Sequence, residues 1–351
     1  MNVLLVKMSS LGDIVHTLPA LHDAARHGVR FDWVVEEGYR AVPARVAAVD
    51  RVLEVAFRRW RTAPIAFGAE LRAFRERLRQ RRYELVLDAQ GLLKSAVVGC
   101  WARTDERVGF DAASARERVA ALAYRRGISV PQDWHAIDRT RRLFAHALGY
   151  EVPDREPAFG LRAPQRRTSR VGNESGNAVV FAHGTTWPTK HWPEAFWADL
   201  ARIATDQGFV SLLPWANGER ARAERIARGI PGARVCARMD LDDAMGLLAH
   251  ACGVVGVDSG LAHLGAALGR PTVMLFGPSD PSLTGCRGRN VRNLTASLAC
   301  SPCRSKQCRL SRQLAHHADH WPPCLGNVEP SRAWSALLEA MAKQPRNVAG
   351  L

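Results

Sequence analysis

The chain has 351 residues, 47% of them hydrophobic, with a mean hydropathy of -0.17. Those values exclude a disordered chain, and no apolar run approaches the ~18 residues of a membrane-spanning helix, so the expectation is a globular protein of two ordinary domains. The formal net charge is +15, and only five of the 49 basic residues are lysine; such a surplus favours polyanionic partners, although an arginine skew also follows from codon composition.

Val3 to Val6 is a short apolar run ended by Lys7. It is too short for a signal-peptide core and reads as a first buried strand, from which a cytoplasmic location is expected. A helix follows from Ile14 to about His27, then strands at Phe31 to Val35, Arg51 to Ala56 and Tyr83 to Asp88, with an arginine-rich helix from Ala69 to Arg82 before the last of them. Alternation at this spacing implies a parallel sheet with helical crossovers. Val152 to Asn177 breaks the pattern with Pro, Arg, Gly, Ser and Asn. The domain boundary is placed there, with 161–177 as linker between domains at 1–160 and 178–329.

The alternation then restarts. Ala178 to Ala182, Val210 to Leu213, Val254 to Val257 and Thr272 to Phe276 read as strands. Pro193 to Gln207, Gly218 to Gly229, Leu241 to Ala251 and Gly260 to Leu268 read as helices. A last helix begins near Pro330, and the segment 330–345 is left open to return onto the first domain.

Three junctions carry candidate chemistry. The first strand runs into MSSLGDIVHTLPAL, a small-residue turn at the sheet edge where open α/β folds bind ligands. Asp13 there is either a helix cap or a general base. In the second half, FAHGTTWPTKHWPEAFW sets Thr185, Thr186 and Lys190 between a strand and a helix. Hydroxyls, an ammonium and helix amides suit a diphosphate, the alternative being a capped surface turn. In GVVGVDSGLAHLGAALGRPTVMLFGPSDP, a buried strand ends at Asp258-Ser259-Gly260 and a helix of small residues follows, with His263 in its first turn. That junction offers amides and a positive dipole end to a pyrophosphate. Asp258 is a cap or a ligand contact, and His263 alone reads as structural. No zinc-finger, RNA-recognition or helix-turn-helix signature accompanies the basic charge, so nucleic acid is not an expected partner.

These pieces resemble a known family. VKMSSLGDIVHTLPAL, FDWVVEEG, RRWR, DAQGLLKSA, the TKHWP turn, LLPW with GERARAERIA, and VDSGLAHLGAALGRPTVMLFGPSDP stand in the order and spacing of the lipopolysaccharide heptosyltransferases of glycosyltransferase family 9, from residue 1 to about residue 285. The second half is similar to the type II branch as well, while DWVVEEG, RRWR and KHWP look like type I. The resemblance implies a GT-B fold, two Rossmann-like domains facing a central cleft. It implies inverting transfer of L-glycero-D-manno-heptose from ADP-heptose to the first Kdo of Kdo2-lipid A, at the anionic cytoplasmic face of the inner membrane. By that match Asp13 is the base. Lys190, Thr185 and Thr186 hold the diphosphate, Asp258 contacts the heptose, and Ser259, Gly260 and His263 meet diphosphate or heptose. Glu219 is matched to the ribose and Met239 to the adenine. Arg58, Arg59, Arg61, Lys94 and Arg116 match acceptor-side positions. Ser259 stands where threonine is common and keeps the hydroxyl.

No cofactor or catalytic metal is required by that chemistry, since Lys190 and helix amides can meet the charge on departing ADP. Cys300, Cys303, Cys308 and Cys324 form C-x2-C-x4-C-x15-C where the match to type I weakens. A structural zinc there is chemically reasonable, but the spacing is not that of a known ribbon, and reduced thiols are the expectation. The other four cysteines, Cys100, Cys236, Cys252 and Cys286, read as small buried apolar residues. Two rivals remain: type II acceptor specificity, and a non-catalytic anion-binding Rossmann protein.

Overall fold

The computed structural model describes residues 1–62, 67–164, 177–216, 218–310 and 322–343. The chain divides into two compact units, Met1–Arg162 and Ala163–Leu351. Most of the expected linker, residues 165–176, lies outside the described residues.

The first unit runs β1 (Asn2–Val6), α1 (Leu11–Ala25), β2 (Arg30–Glu36), β3 (Val49–Val55), α2 (Phe57–Trp60), α3 (Gly68–Arg79), β4 (Leu85–Asp88), α4 (Leu93–Trp101), β5 (Arg107–Phe110), β6 (Arg126–Ile128) and α5 (Ala136–Leu148). Its six strands pair in parallel in the order β3-β2-β1-β4-β5-β6. Val3 to Val6 of β1 are fully buried, as a central parallel strand covered on both faces requires. One side of the sheet packs Leu4, Val6, Val34, Leu53 and Val86 with Phe74 and Leu78 of α3 and Val98 of α4. On α1 and α5 a buried ion pair, Arg141 Nε to Asp23 Oδ2 at 2.7 Å, fixes the helix pair. Removing one partner would strand a buried charge at a cost of about 3–5 kcal/mol.

The second unit runs β7 (Ala178–Ala182), α6 (Glu194–Asp206), β8 (Val210–Leu213), α7 (Arg220–Ala227), β9 (Ala233–Val235), α8 (Leu241–His250), β10 (Gly253–Val257), α9 (Gly260–Ala267), β11 (Thr272–Phe276), α10 (Pro281–Thr284), β12 (Val291–Thr295) and α11 (Pro330–Ala342). Its parallel sheet has the order β12-β11-β10-β7-β8-β9, which is the first unit's order repeated. Phe181, Trp192, Trp197, Leu213 and Leu275 form its core with Trp334 and Leu337 of α11. The last helix therefore packs in this unit. The cause is a close fit. Gly253 opens β10, and a β-carbon there would lie 2.6 Å from Met341 Cε and 2.9 Å from Leu337 Cδ1.

In both sheets the chain leaves the first strand toward one side, and the fourth strand lies on the other. The loops after β1 and β4 therefore diverge at the carboxyl edge, as do those after β7 and β10. That switch point is where ligands bind in open α/β sheets. Among the described residues no helix is long and apolar enough to cross a membrane.

Candidate active site

At the first switch point, Ser10 is the N-cap of α1 and Asp13 occupies the third helical position. Asp13 Oδ2 accepts from the Ser10 N–H and hydroxyl, both at 3.0 Å, so the carboxylate reaches back over the helix start. It serves as part of the cap and stays available: its side chain is 16% exposed, with Arg116 Nη2 3.2 Å from Oδ1. Burial alone would raise its pKa, but Lys7, Arg116 and the Ser10 amide together hold it well below the usual carboxylate range. Lys7 is buried, donates to the Ala89 carbonyl at 2.9 Å, and has its pKa lowered by that burial. The loop is braced from β4. Gln90 Oε1 accepts from Met8 N–H at 2.6 Å, and Gln90 Nε2 donates to the Ser9 carbonyl at 3.0 Å. Asp88 holds Gln90 in turn, accepting its N–H at 2.8 Å and the Tyr124 hydroxyl at 2.7 Å.

The expected acceptor-side cations follow other strands of the same edge. Arg58, after β3, is exposed and donates to the Tyr39 hydroxyl at 2.8 Å. Arg59 is committed to two carboxylates, Glu70 at 2.9 Å and Glu37 at 3.1 Å. Arg61 and Lys94 are exposed, Lys94 in the first turn of α4. Arg116, beyond β5, spends its guanidinium on Asp13.

At the second switch point the polarity is reversed. Lys190, in the loop after β7, lies 2.6 Å from Asp258 Oδ2 at the end of β10, with side chains 16% and 8% exposed. Its ammonium also sits 4.5 Å from the Trp187 ring centroid. Asp258 Oδ1 faces His263 Nε2 at 3.4 Å, and His263 Nδ1 faces Cys286 Sγ at 3.4 Å. Burial alone would lower the imidazole's pKa, but Cys286 and Asp258 beside it raise it to about 10. Burial opposes ionisation of Asp258, and its bonds to His263 and Lys190 reverse that, holding its pKa low. Thr185 Oγ1 donates to the Asp258 carbonyl at 3.5 Å, and Thr186 is exposed. Ser259 is the N-cap of α9 and Gly260 its first residue. The Ser259 hydroxyl is buried without a hydrogen-bond partner among the described residues. The first amides of α9 have no intrahelical acceptor, as at any helix start.

Further along this edge, Glu219 at the start of α7 accepts from Ala216 N–H at 2.9 Å. Its carboxylate lies so close over Gly184 that a β-carbon there would overlap it. Glycine therefore admits Glu219 to the end of β7. Met239 is half-buried between β9 and α8. In sheet order the candidates run Asp258 (β10), Thr185 and Lys190 (β7), Glu219 (β8) and Met239 (β9). With strands ~4.8 Å apart that row spans roughly 14 Å.

The family model described as glycosyltransferase family 9 (heptosyltransferase) matches residues 71–313. The chain is 44% identical over 358 residues to lipopolysaccharide heptosyltransferase 1 of Pseudomonas aeruginosa, covering 99% of this chain and 100% of that protein. Among solved structures it is similar to the E. coli heptosyltransferase WaaC with ADP, with a TM-score of 0.83 and 39% identity over 97% of this chain and 100% of that one. A structure of WaaC with ADP-2-deoxy-2-fluoro heptose gives a TM-score of 0.80 at 38% identity, over 97% and 99%. The chain belongs to glycosyltransferase family 9.

As a family 9 heptosyltransferase it has the two Rossmann-like sheets of the GT-B enzymes, and it is a glycosyltransferase. Four residues of the two sites escaped sequence reasoning. Lys7 and Gln90 set the charge and shape of the Asp13 loop, Asp88 anchors Gln90, and Cys286 touches His263. Lys7 had one signal, a lone lysine directly after an apolar run. Cys236 and Cys286 are buried as expected, Cys286 with its sulfur 3.4 Å from His263 Nδ1, whereas Cys252 is half-buried and Cys100 exposed. The four late cysteines line one cavity with Thr189, Gly277 and Pro278. Among the described residues no three His, Cys, Asp or Glu side chains converge to hold a metal.

Proposed function

We propose that the protein transfers L-glycero-D-manno-heptose from ADP-heptose to the first Kdo of Kdo2-lipid A, with inversion at the anomeric carbon. The observation that carries this reading is the row of donor candidates along the second sheet's edge. A heptose at Asp258, a diphosphate at Lys190 and α9, a ribose at Glu219 and an adenine near Met239 follow one another in strand order. ADP and ADP-2-deoxy-2-fluoro heptose in the WaaC structures, at 39% and 38% identity, support the same donor. The type 1 name of the P. aeruginosa relative supports the acceptor.

In the resting site Lys190 is held by Asp258. A donor diphosphate competes for that ammonium and brings more negative charge than one carboxylate. The α9 amides and the unpartnered Ser259 hydroxyl add donors without reorganisation. The bonds from His263 and Lys190 favour the ionised form of Asp258, so it can accept heptose hydroxyls while Lys190 turns to the phosphate.

Asp13 takes the proton of the attacking Kdo hydroxyl. The oxygen's electron pair forms the new bond at the anomeric carbon as the bond to the phosphate oxygen breaks and its pair leaves with ADP. A carboxylate held this low is a weak base, so the three events run together. Arg116 tempers it. Its side chain is 57% exposed, and an arriving Kdo carboxylate draws the guanidinium away from Asp13, whose basicity then rises. Arg58, Arg61 and Lys94 meet the remaining acceptor anions. The acceptor places the enzyme at an anionic membrane surface, on its cytoplasmic side. The cysteine cavity has no step in this reaction.

The test is turnover, read as ADP release, on Kdo2-lipid A against the acceptor already carrying one heptose. Preference for the first supports the type I reading, preference for the second replaces it with type II, and no ADP release with either refutes transfer.

A further inference from the structure

Among the described residues seven large apolar side chains are exposed, and four of them, Leu93, Val97, Val119 and Leu122, fall on adjoining segments of the first unit. Leu122 is 86% exposed, Leu93 50%, Val119 48% and Val97 39%. Single exposed apolar residues are ordinary, whereas a cluster of them marks a contact surface.

Local structure builds the cluster. Leu93 and Val97 lie one turn apart on the outer face of α4, whose inner face buries Ala96, Val98 and Gly99. Val119 and Leu122 lie three apart on the single 3-10 segment Arg118–Ala123, which buries Ala120 inward. Residues three apart in a 3-10 helix share a face. That segment runs alongside α4. The Leu93 N–H donates to Glu117 Oε2 at 2.7 Å, and the Glu117 N–H donates to the Gly91 carbonyl at 3.0 Å. Exposed cations border the apolar residues: Lys94 on α4 and Arg118 at the head of the 3-10 segment. Two residues before Arg118 stands Arg116, the partner of Asp13. An apolar patch rimmed by cations, on a chain of net charge +15, is complementary to a surface with an apolar interior and anionic headgroups.

We propose that this face of α4 and the 118–123 segment docks on an anionic lipid bilayer, with Leu122 and Val119 inserted at the headgroup boundary. The inference deepens the proposed function, since its lipid-borne acceptor would then reach Asp13 from the surface on which the enzyme sits. Docking itself needs no acceptor. Leu122 reaches furthest into solvent, so it enters first, and Arg118 meets lipid phosphates beside it.

The experiment is co-sedimentation of the full chain with vesicles of phosphatidylglycerol and phosphatidylethanolamine that hold no Kdo2-lipid A, so that its result is independent of turnover. The wild type is expected to bind these vesicles, to bind phosphatidylcholine vesicles at least tenfold more weakly, and to weaken with added salt. Leu122→Asp with Val119→Asp should lose at least tenfold of the vesicle binding, and Leu122→Ser alone a few-fold. Both side chains are exposed, so the variants should keep the wild-type melting temperature. With acceptor embedded in vesicles, the double variant should show a raised KM and an unchanged kcat, and a water-soluble deacylated acceptor should give wild-type KM. Wild-type vesicle binding by the double variant overturns the proposal. A wild type that dimerises in solution through this face, with the variant monomeric and vesicle binding absent, overturns it as well, because the patch would then belong to a second copy. If vesicle binding is lost but neither acceptor is turned over by the wild type, the docking surface stands and the heptosyl reading fails.

Discussion

Replacing Asp13 with Asn separates its two duties, helix start and base. An asparagine Oδ1 can still accept the Ser10 N–H and hydroxyl that now lie 3.0 Å away. It removes the proton acceptor and the negative charge. Loss of a general base lowers kcat by roughly 10²–10⁴-fold, or about 3–5 kcal/mol of barrier. The fold also responds. The ion pair with Arg116, 57% exposed, contributes under ~1 kcal/mol. Lys7 matters more, because its ammonium is buried and Asp13 is the strongest influence holding it charged; its loss of a partner costs about 1–3 kcal/mol. The sign follows from the depressed pKa. Asp13 contributes stability above its unfolded value of about 3.9 and loses it only as pH falls through the lower folded value, so the variant is weaker at neutral pH. Steady-state ADP release well below the melting point measures kcat, and calorimetry measures ADP affinity, which should stay within about twofold of wild type because the proposed donor residues lie in the other unit. A variant turning over within about threefold of wild type would refute the base and leave Asp13 as a helix cap.

Other substitutions divide the sites further. Lys190→Ala should weaken ADP binding at least tenfold and lower kcat as well, since its ammonium meets charge that grows in the transition state; wild-type ADP affinity by calorimetry would remove it from the donor site. Arg58→Ala with Arg61→Ala should raise the acceptor KM at least tenfold and leave the donor KM nearly unchanged. Arg59→Ala, which breaks ties to Glu37 and Glu70, should instead lower the melting temperature with a smaller KM change. His263, raised from 6.5 to about 10 in the fold, contributes stability that is full below pH ~6.5 and is lost as pH rises through 10. His263→Gln should flatten that alkaline decline in urea unfolding, and an unchanged slope would show that the imidazole is neutral. Chelation should leave turnover intact and at most lower the melting temperature; lost turnover in a folded protein would give the cysteine cavity a role in the reaction.

The parts of the fold most legible in the sequence are those where burial leaves a continuous apolar run. β7, β8 and β11 agree with their expected spans to the residue, because parallel strands covered on both faces admit little else. Strands β5, β6, β9 and β12 went unread. RVGF, RGI, ARV and VRNLT are short, arginine-bearing and partly exposed toward the sheet edges. The first helix begins at Leu11, three residues before the expected Ile14, since serine, glycine and aspartate at a helix start look like a loop until the cap is seen. The candidate site was legible as small residues with one charged group after a strand. Its supports were not. Gln90 acts on Ser9 across 81 residues, and Cys286 on His263 across 23, and no local pattern encodes such pairs.

The two units solve opposite problems on one topology. Each places its chemistry in the loops after the first and fourth strands of a 3-2-1-4-5-6 sheet. In the first unit the group at the edge is a carboxylate restrained by cations, Lys7 below and Arg116 outside. In the second it is a cation restrained by a carboxylate, Lys190 on Asp258, with His263 behind. In the proposed reaction the exposed or competed partner is the one an incoming anion displaces: Arg116 by the acceptor's carboxylate, Asp258 by the donor's diphosphate. The inner partners, Lys7 and His263, are buried and stay. Substrate binding would thus convert a tame ion pair into a reactive group, raising the basicity of Asp13 and freeing Lys190 for the leaving ADP. Arg116→Ala tests this coupling. Removing a largely exposed guanidinium 3.2 Å from Asp13 is worth about 1 kcal/mol, or under one pKa unit. The acid limb of kcat/KM should therefore move up in pH by that amount, while kcat on saturating acceptor changes little because the acceptor has already drawn Arg116 away. An acid limb that stays in place, with kcat reduced a hundredfold, would mean that Arg116 works in the transition state itself rather than as a displaceable restraint.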